Sequence, residues 1–258
     1  MNHSTTIQTP KARAQLRPRA APAKRYFHST AGVVMLVIAF VGFQPFYLRG
    51  EGMGGRTISP QLFALVLVHG GAMTAWVILF LVQSLLIPTR HRRLHMKLGW
   101  GAIAVASVVA ISGFMVAVQS VRPVPESPFW GMAYRQFLLV MLAEVTLFTL
   151  FVLAGVFSRK RPETHRAMML LASLSILAGA TVRMPILFPI FGEGGWKGIF
   201  GPIFTLGAVF LLVRSLLSRA FDRWFAAGYS AMVVLYVAAS KFAVSEAWSW
   251  LAKAVFNT

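Results

Sequence analysis

Seven long apolar runs, separated by short basic turns, leave this chain few ways to fold. They lie near 29–48, 61–87, 98–120, 135–157, 166–190, 200–217 and 226–248. Each is about 18–27 residues long, enough to cross a hydrocarbon core of about 30 Å at about 1.5 Å per residue. In lipid an open sheet edge would leave N–H and C=O groups unpaired, so the runs predict helices. The expected fold is all-α: a polytopic membrane bundle of about seven transmembrane helices, with a four-helix core from helices 2–5. The transmembrane domain spans 27–258 and follows a disordered basic tail, 1–26. The sixth run is short. The seventh is interrupted by Lys241 and Glu246, so its last part, with Trp248, Trp250 and Lys253, is expected at the membrane interface.

Only 12% of the 258 residues are charged, against about 25% in soluble domains. That excludes a soluble globular enzyme. The absence of cysteine excludes disulfide scaffolds, thiolate-held iron–sulfur or zinc sites and thiol catalysis. The net charge of +18 falls in clusters between apolar runs, with no recognised nucleic-acid module beside it, so no nucleic-acid partner is expected. Counted over alternate loops, 17 of the 25 lysines and arginines fall on one side. This side includes the tail residues Lys11, Arg13, Arg17, Arg19, Lys24 and Arg25. The bias places the N-terminus in the cytoplasm. An Arg-rich, acid-free tail also matches an organelle-targeting segment. The run from Thr30 is too long, and ends too bulkily in Phe46–Leu48, for a cleaved secretory signal.

A weak internal repeat relates runs 2 and 3 to runs 4 and 5. One hairpin turns through Pro88–His95 and the other through Arg159–Arg166. In both, a proline is expected to end the inward helix, and a basic, histidine-bearing turn to start the outward one. His95 and His165 therefore sit at equivalent depths. Two histidines facing each other across a bundle can ligate one haem iron as neutral imidazoles; the other reading is a pair of headgroup-level residues. His91 and His28 belong to the same end. His91 and His95 have the i, i+4 spacing of a metal pair, but Arg90, Arg92, Arg93 and Lys97 would repel a cation there.

Ionisable groups inside the runs are the other leads, because each is costly in lipid. His69 and Glu144 lie about nine residues into runs 2 and 4 from the outer side, and Arg183 about seven from the outer end of run 5. Their common depth predicts a Glu144–Arg183 pair with His69 beside it. Met73 falls one turn below His69. Gly70 and Gly71 would let another helix or a flat ligand approach. The alternative is an ion pair that only fixes helix register, with Arg183 snorkelling outward.

Other matches carry no chemistry. Gly50-x-Gly52-x-x-Gly55 follows an apolar run and lacks the strand–turn–helix unit of a dinucleotide site. Asn2–His3–Ser4 is a glycosylation sequon in a tail placed inside the cell. The seven acids are scattered, leaving no carboxylate pair for acid–base work.

Leu94–His95–Met96–Lys97–Leu98–Gly99–Trp100 resembles an "LHRxLGR"-type signature. His165–Arg183, with Arg166, Met168 or Met169 and Arg183 in step, resembles an "HRxxM…R" signature, and His69 precedes them. Together these resemble a domain-of-unknown-function family of bacterial multi-pass membrane proteins over roughly residues 60–190. The resemblance implies a His-bearing bundle in the plasma (inner) membrane. A more distant likeness is to cytochrome b561-type haem bundles, which pair histidines near both membrane faces. Three functions are expected: a haem- or quinone-linked redox protein with haem b on His95 and His165, or else on His69 with another group; a small-solute, proton or lipid-handling bundle lined by His69, Glu144 and Arg183; or a non-catalytic subunit. The partners expected are the lipid bilayer and either a membrane-complex partner or a second copy of the chain.

Overall fold

The computed structural model describes residues 22–52 and 58–256. The tail cations Lys11 to Arg19, the Asn2 sequon, Gly55 and Arg56 lie outside them. In chain order the elements are α1 (Pro22–Arg49), α2 (Pro60–Leu86), α3 (Arg92–Val121), β1 (Pro128–Phe129), β2 (Met132–Ala133), α4 (Tyr134–Phe157), α5 (Pro162–Ser175) and α6 (Ala178–Thr181). A 3₁₀ turn (Pro185–Leu187), α7 (Phe188–Phe191), α8 (Gly195–Ser218), α9 (Arg223–Ala243) and α10 (Glu246–Phe256) follow. Among the described residues, six helices are long and apolar enough to cross a membrane. The count is seven if the bent pair Pro162–Thr181 and Pro185–Phe191 forms one span. The chain is an all-α, multi-pass membrane protein. Val37, Phe40, Leu67, Ile111, Leu150, Leu212 and Val234 are exposed, as side chains facing hydrocarbon should be.

Local chemistry sets the helix ends. Pro60 and Pro162 occupy first-turn positions of α2 and α5, where a missing N–H costs nothing. Glu163 lies in the first turn of α5, on the positive end of the helix dipole. The Gln136 side chain accepts the Ala133 N–H at 2.9 Å ahead of α4. The Asp222 carboxylate accepts the Phe225 N–H at 3.1 Å, capping α9. The α3–α4 connection makes the two-residue ladder β1–β2. Trp130 (φ 51°) and Gly131 (φ 81°) lie between its strands, the positive-φ pair that a tight hairpin of this hand requires. The Gly195 N–H donates to the Trp130 carbonyl at 3.2 Å, clipping this loop to the start of α8.

The α2/α3 and α4/α5 hairpins lie side by side through α3 and α4, and α1, α8 and α9 close the bundle around α5. Leu170 through Ser175 are all buried. Trp76 of α2 reaches this helix, its Nε1–H donating to Ser173 Oγ at 3.2 Å and its ring meeting Phe148 edge-on at 5.0 Å. On the other flank, Tyr236 of α9 stacks on Phe200 of α8 at 4.1 Å.

Three details differ from the sequence expectation. Helix α1 begins at Pro22, so Lys24 and Arg25 are helical rather than part of the tail. The fifth run breaks after Ser175 and again at Met184, bending by 96°. Pro185 and Pro189 lack N–H donors, and proline drives the residue before it out of the helical region; Met184 has φ −106° and ψ 95°. The seventh run ends at Ala243, and α10 forms a separate helix. Its Trp248 and Ala252 pack on Ala117, Val121 and Leu138, while Trp250 stays exposed.

The α1–α6 contact depends on Gly42. A Cβ built there would lie 2.7 Å from the Ala180 carbonyl carbon and Cα, backbone atoms that cannot swing away. A Cβ at Gly71 would meet nothing within 4 Å. Gly42→Ala should therefore destabilise the detergent-solubilised protein by about 1–3 kcal/mol. Gly71→Ala should be neutral or stabilising by up to about 1 kcal/mol. Thermal unfolding of the two variants compares them directly.

Candidate functional site

The two hairpins hold His95 and His165 in the same way. Each histidine lies in the first turns of its returning helix, and its ring reaches back to a carbonyl near the end of the incoming one. His95 Nδ1 is 3.3 Å from the Gln83 carbonyl and His165 Nδ1 is 2.8 Å from the Gly155 carbonyl. A carbonyl only accepts, so each Nδ1 carries the proton and each Nε2 is left as a neutral lone-pair donor. Neither Nε2 has a protein partner among the described residues. The ring centroids are 6.3 Å apart and the planes stand at 87°.

The pair offers two neutral ring nitrogens, ligands that an imidazole-binding metal would accept. The backbone carbonyls supply the outer contacts that fix ring orientation and tautomer in such sites. On α2, the Gln83 side-chain Oε1 is buried without a hydrogen-bond partner among the described residues. The donor set fits a haem b iron.

The remaining histidines of this end are placed differently. His91 is exposed at the start of α3, with Nδ1 3.1 Å from Thr89 Oγ1. His28 of α1 lies within electrostatic reach of His165. Its Nε2 accepts from Arg214 Nη1 at 3.3 Å, and Arg214 is ion-paired to Asp222. Among the described residues no group of three or more His, Asp or Glu side chains could hold a metal ion.

The three-way cluster expected at mid-membrane does not assemble. His69 Nδ1 is 3.0 Å from Ser112 Oγ on α3, and Ser112 Oγ itself donates to the Val108 carbonyl. The hydroxyl proton is thus committed to the carbonyl, so His69 donates to the Ser112 oxygen. Gly113 makes room for the ring: a Cβ there would come within 3.1 Å of His69 Cε1 and 3.0 Å of Val145 Cγ2. His69 therefore reaches the level of α4 but bonds across to α3. Glu144 and Arg183 lie in each other's field, yet no ion pair among the described residues joins them. Arg183 sits at the elbow that the broken fifth run creates. Its Nη1 donates to the Gly179 carbonyl and its guanidinium covers the Phe43 ring at 4.6 Å. Met73 packs against the core, and Gly70 approaches the Phe46 ring.

Sequence reasoning missed Tyr236. Its hydroxyl donates to the Ser175 carbonyl at 2.9 Å, and it shares the field of Glu144. Tyrosines inside an apolar run, here Tyr229 and Tyr236, were the available signal. Ser112 carried none, since serines within spans commonly bond their own helix, as Ser107 does to the Ile103 carbonyl.

The shared field predicts thermodynamic coupling. A double-mutant cycle of Glu144→Gln and Arg183→Met, read by unfolding in detergent, should give a non-additive term of about 0.5–3 kcal/mol. Simple additivity would show that the two charges are independent.

In comparisons with known proteins, no protein-family model matches the chain, and no match is found among curated proteins or solved structures.

Proposed function

We propose that this protein is a haem-linked redox protein of the plasma membrane, with its N-terminus in the cytoplasm. In this reading His95 and His165 would hold a haem b near the cytoplasmic face. The observation that carries it is the symmetric pair of imidazoles at 6.3 Å, each with Nδ1 on a backbone carbonyl and Nε2 free. The excess of lysine and arginine at this end of the helices supports the orientation. The haem supplies one-electron chemistry when bound. The chain's own part is to hold two neutral imidazoles in one tautomer. The α2/α3 and α4/α5 hairpins fix their separation. A membrane quinone is a suitable electron partner, because it reaches a headgroup-level site by lateral diffusion.

The test is an absorption spectrum of protein purified in detergent after haem-supplemented expression. A Soret band is expected for the wild type. It should be lost or strongly diminished in His95→Ala and His165→Ala and retained in His69→Ala. A wild type without the band would sink the reading.

A second reading rests on Glu144, a carboxyl within a span that makes no hydrogen bond or ion pair among the described residues. A bundle that handles a proton or small solute would use such a group. Under it, Glu144→Gln changes uptake or ligand binding in proteoliposomes while the protein stays folded. Unchanged transport would remove Glu144 from consideration.

A further inference from the structure

The end of the bundle that carries the start of α1 holds a cavity of about 370 Å³. It lies between the first turns of α1, α5 and α9 and the last turns of α8. Lys24, Arg166, Arg214 and Arg223 line it, against Glu163 and Asp222. The two acids do not neutralise the site. Asp222 is already committed, pairing with Arg214 and capping the Phe225 N–H. Arg214 is held further by His28, so it is a fixed wall rather than a mobile arm.

The remaining cations are exposed and largely unspent. Arg166 uses only its Nε, which donates to the Pro162 carbonyl at 2.9 Å. Its Nη groups have no partner among the described residues. Arg166 lies in the field of Arg214 as well as of Glu163 and Asp222, and with Lys24 and Arg223 the lining keeps more cations than acids. Arg223 lies over the Trp224 ring at 5.3 Å. Phe221 and Trp224 are 70% and 37% exposed at the rim, the amphipathic edge found where protein meets headgroups. Guanidinium groups converging on one concave site match the oxygens of a phosphate.

We propose that this cavity binds a phosphate-bearing anion, either the headgroup of an anionic phospholipid or a soluble phosphate. Basic pockets between spans are built to hold such groups. Neither His95 nor His165 lines the cavity, so the proposal does not rest on the haem reading.

The full chain is reconstituted into nanodiscs of phosphatidylcholine, with or without phosphatidylglycerol, and its thermal midpoint is measured. Inorganic phosphate is then added to the phosphatidylcholine nanodiscs, with chloride at equal ionic strength as reference. One of the two probes should raise the midpoint by at least about 2 °C. A response to phosphatidylglycerol alone assigns the lipid, and a response to phosphate assigns a soluble ligand. The rise should be at least halved in Arg166→Gln or in Arg223→Gln, two exposed positions tested separately. It should persist in Arg92→Gln, which removes the same charge from the α2–α3 turn. The proposal is overturned if neither probe raises the midpoint, if both site variants respond fully, or if Arg92→Gln loses the response equally.

Discussion

Hydrocarbon offers a backbone N–H or C=O no partner, and that constraint shapes this protein most where its regular structure fails. Continuous helices satisfy themselves. The fifth run does not, because it breaks after Ser175 and turns at Pro185. Side chains take over there. Tyr236 Oη donates to the Ser175 carbonyl, Thr181 Oγ1 to the Ala178 carbonyl at 3.1 Å, and Arg183 Nη1 to the Gly179 carbonyl. Two of the most polar groups in the membrane region thus complete a broken helix. Glu144 stands in the field of both Tyr236 and Arg183. The repair of the break and the polar environment of Glu144 are therefore one feature.

The hairpins follow a different logic. Each must turn at the membrane surface, and each places a histidine just after the turn. The returning helix then points the ring back along the hairpin, so the nearest unsatisfied acceptor is a carbonyl in the final turns of the incoming helix. Using the same device twice, at Gln83 and Gly155, gives two imidazoles with the same tautomer. Packing of α3 against α4 brings the two devices face to face. An arrangement that needs only local hairpin geometry, repeated, is a short route to a two-histidine centre.

This also explains what was legible in the sequence. Run length and basic turns determine the number of spans, the hairpin pairing and the equivalence of His95 and His165, because these are local properties. The break in run 5 was hidden, since from Ile176 to Ile190 the mostly apolar residues are interrupted only by Thr181 and Arg183, and only Pro185 and Pro189 mark the elbow. Depth counting brought Arg183 to about the level of Glu144 but assumed a straight helix. The counting was sound for His69, yet depth says nothing about azimuth, and the ring faces Ser112 on α3 instead of Glu144. Long-range pairs such as Trp76 with Ser173, or Tyr236 with Ser175, depend on which helices become neighbours, which no single run encodes.

Counting basic residues treats every lysine and arginine alike, and the structure separates them. Arg214 is largely buried, with 17% of its side chain exposed, and Asp222 beside it has 7%. Removing two charges from water is costly, and orienting the chain would not require it; an exposed arginine does that equally well. The pair instead fixes the α8–α9 turn, since Asp222 also caps α9, and it ties that turn to α1 through His28. Arg166 and Arg223 remain outside this network and keep their charge at the surface. A rigid buried pair surrounded by free cations is a different object from a diffuse basic face. The first positions charge at a defined place, and the second only attracts.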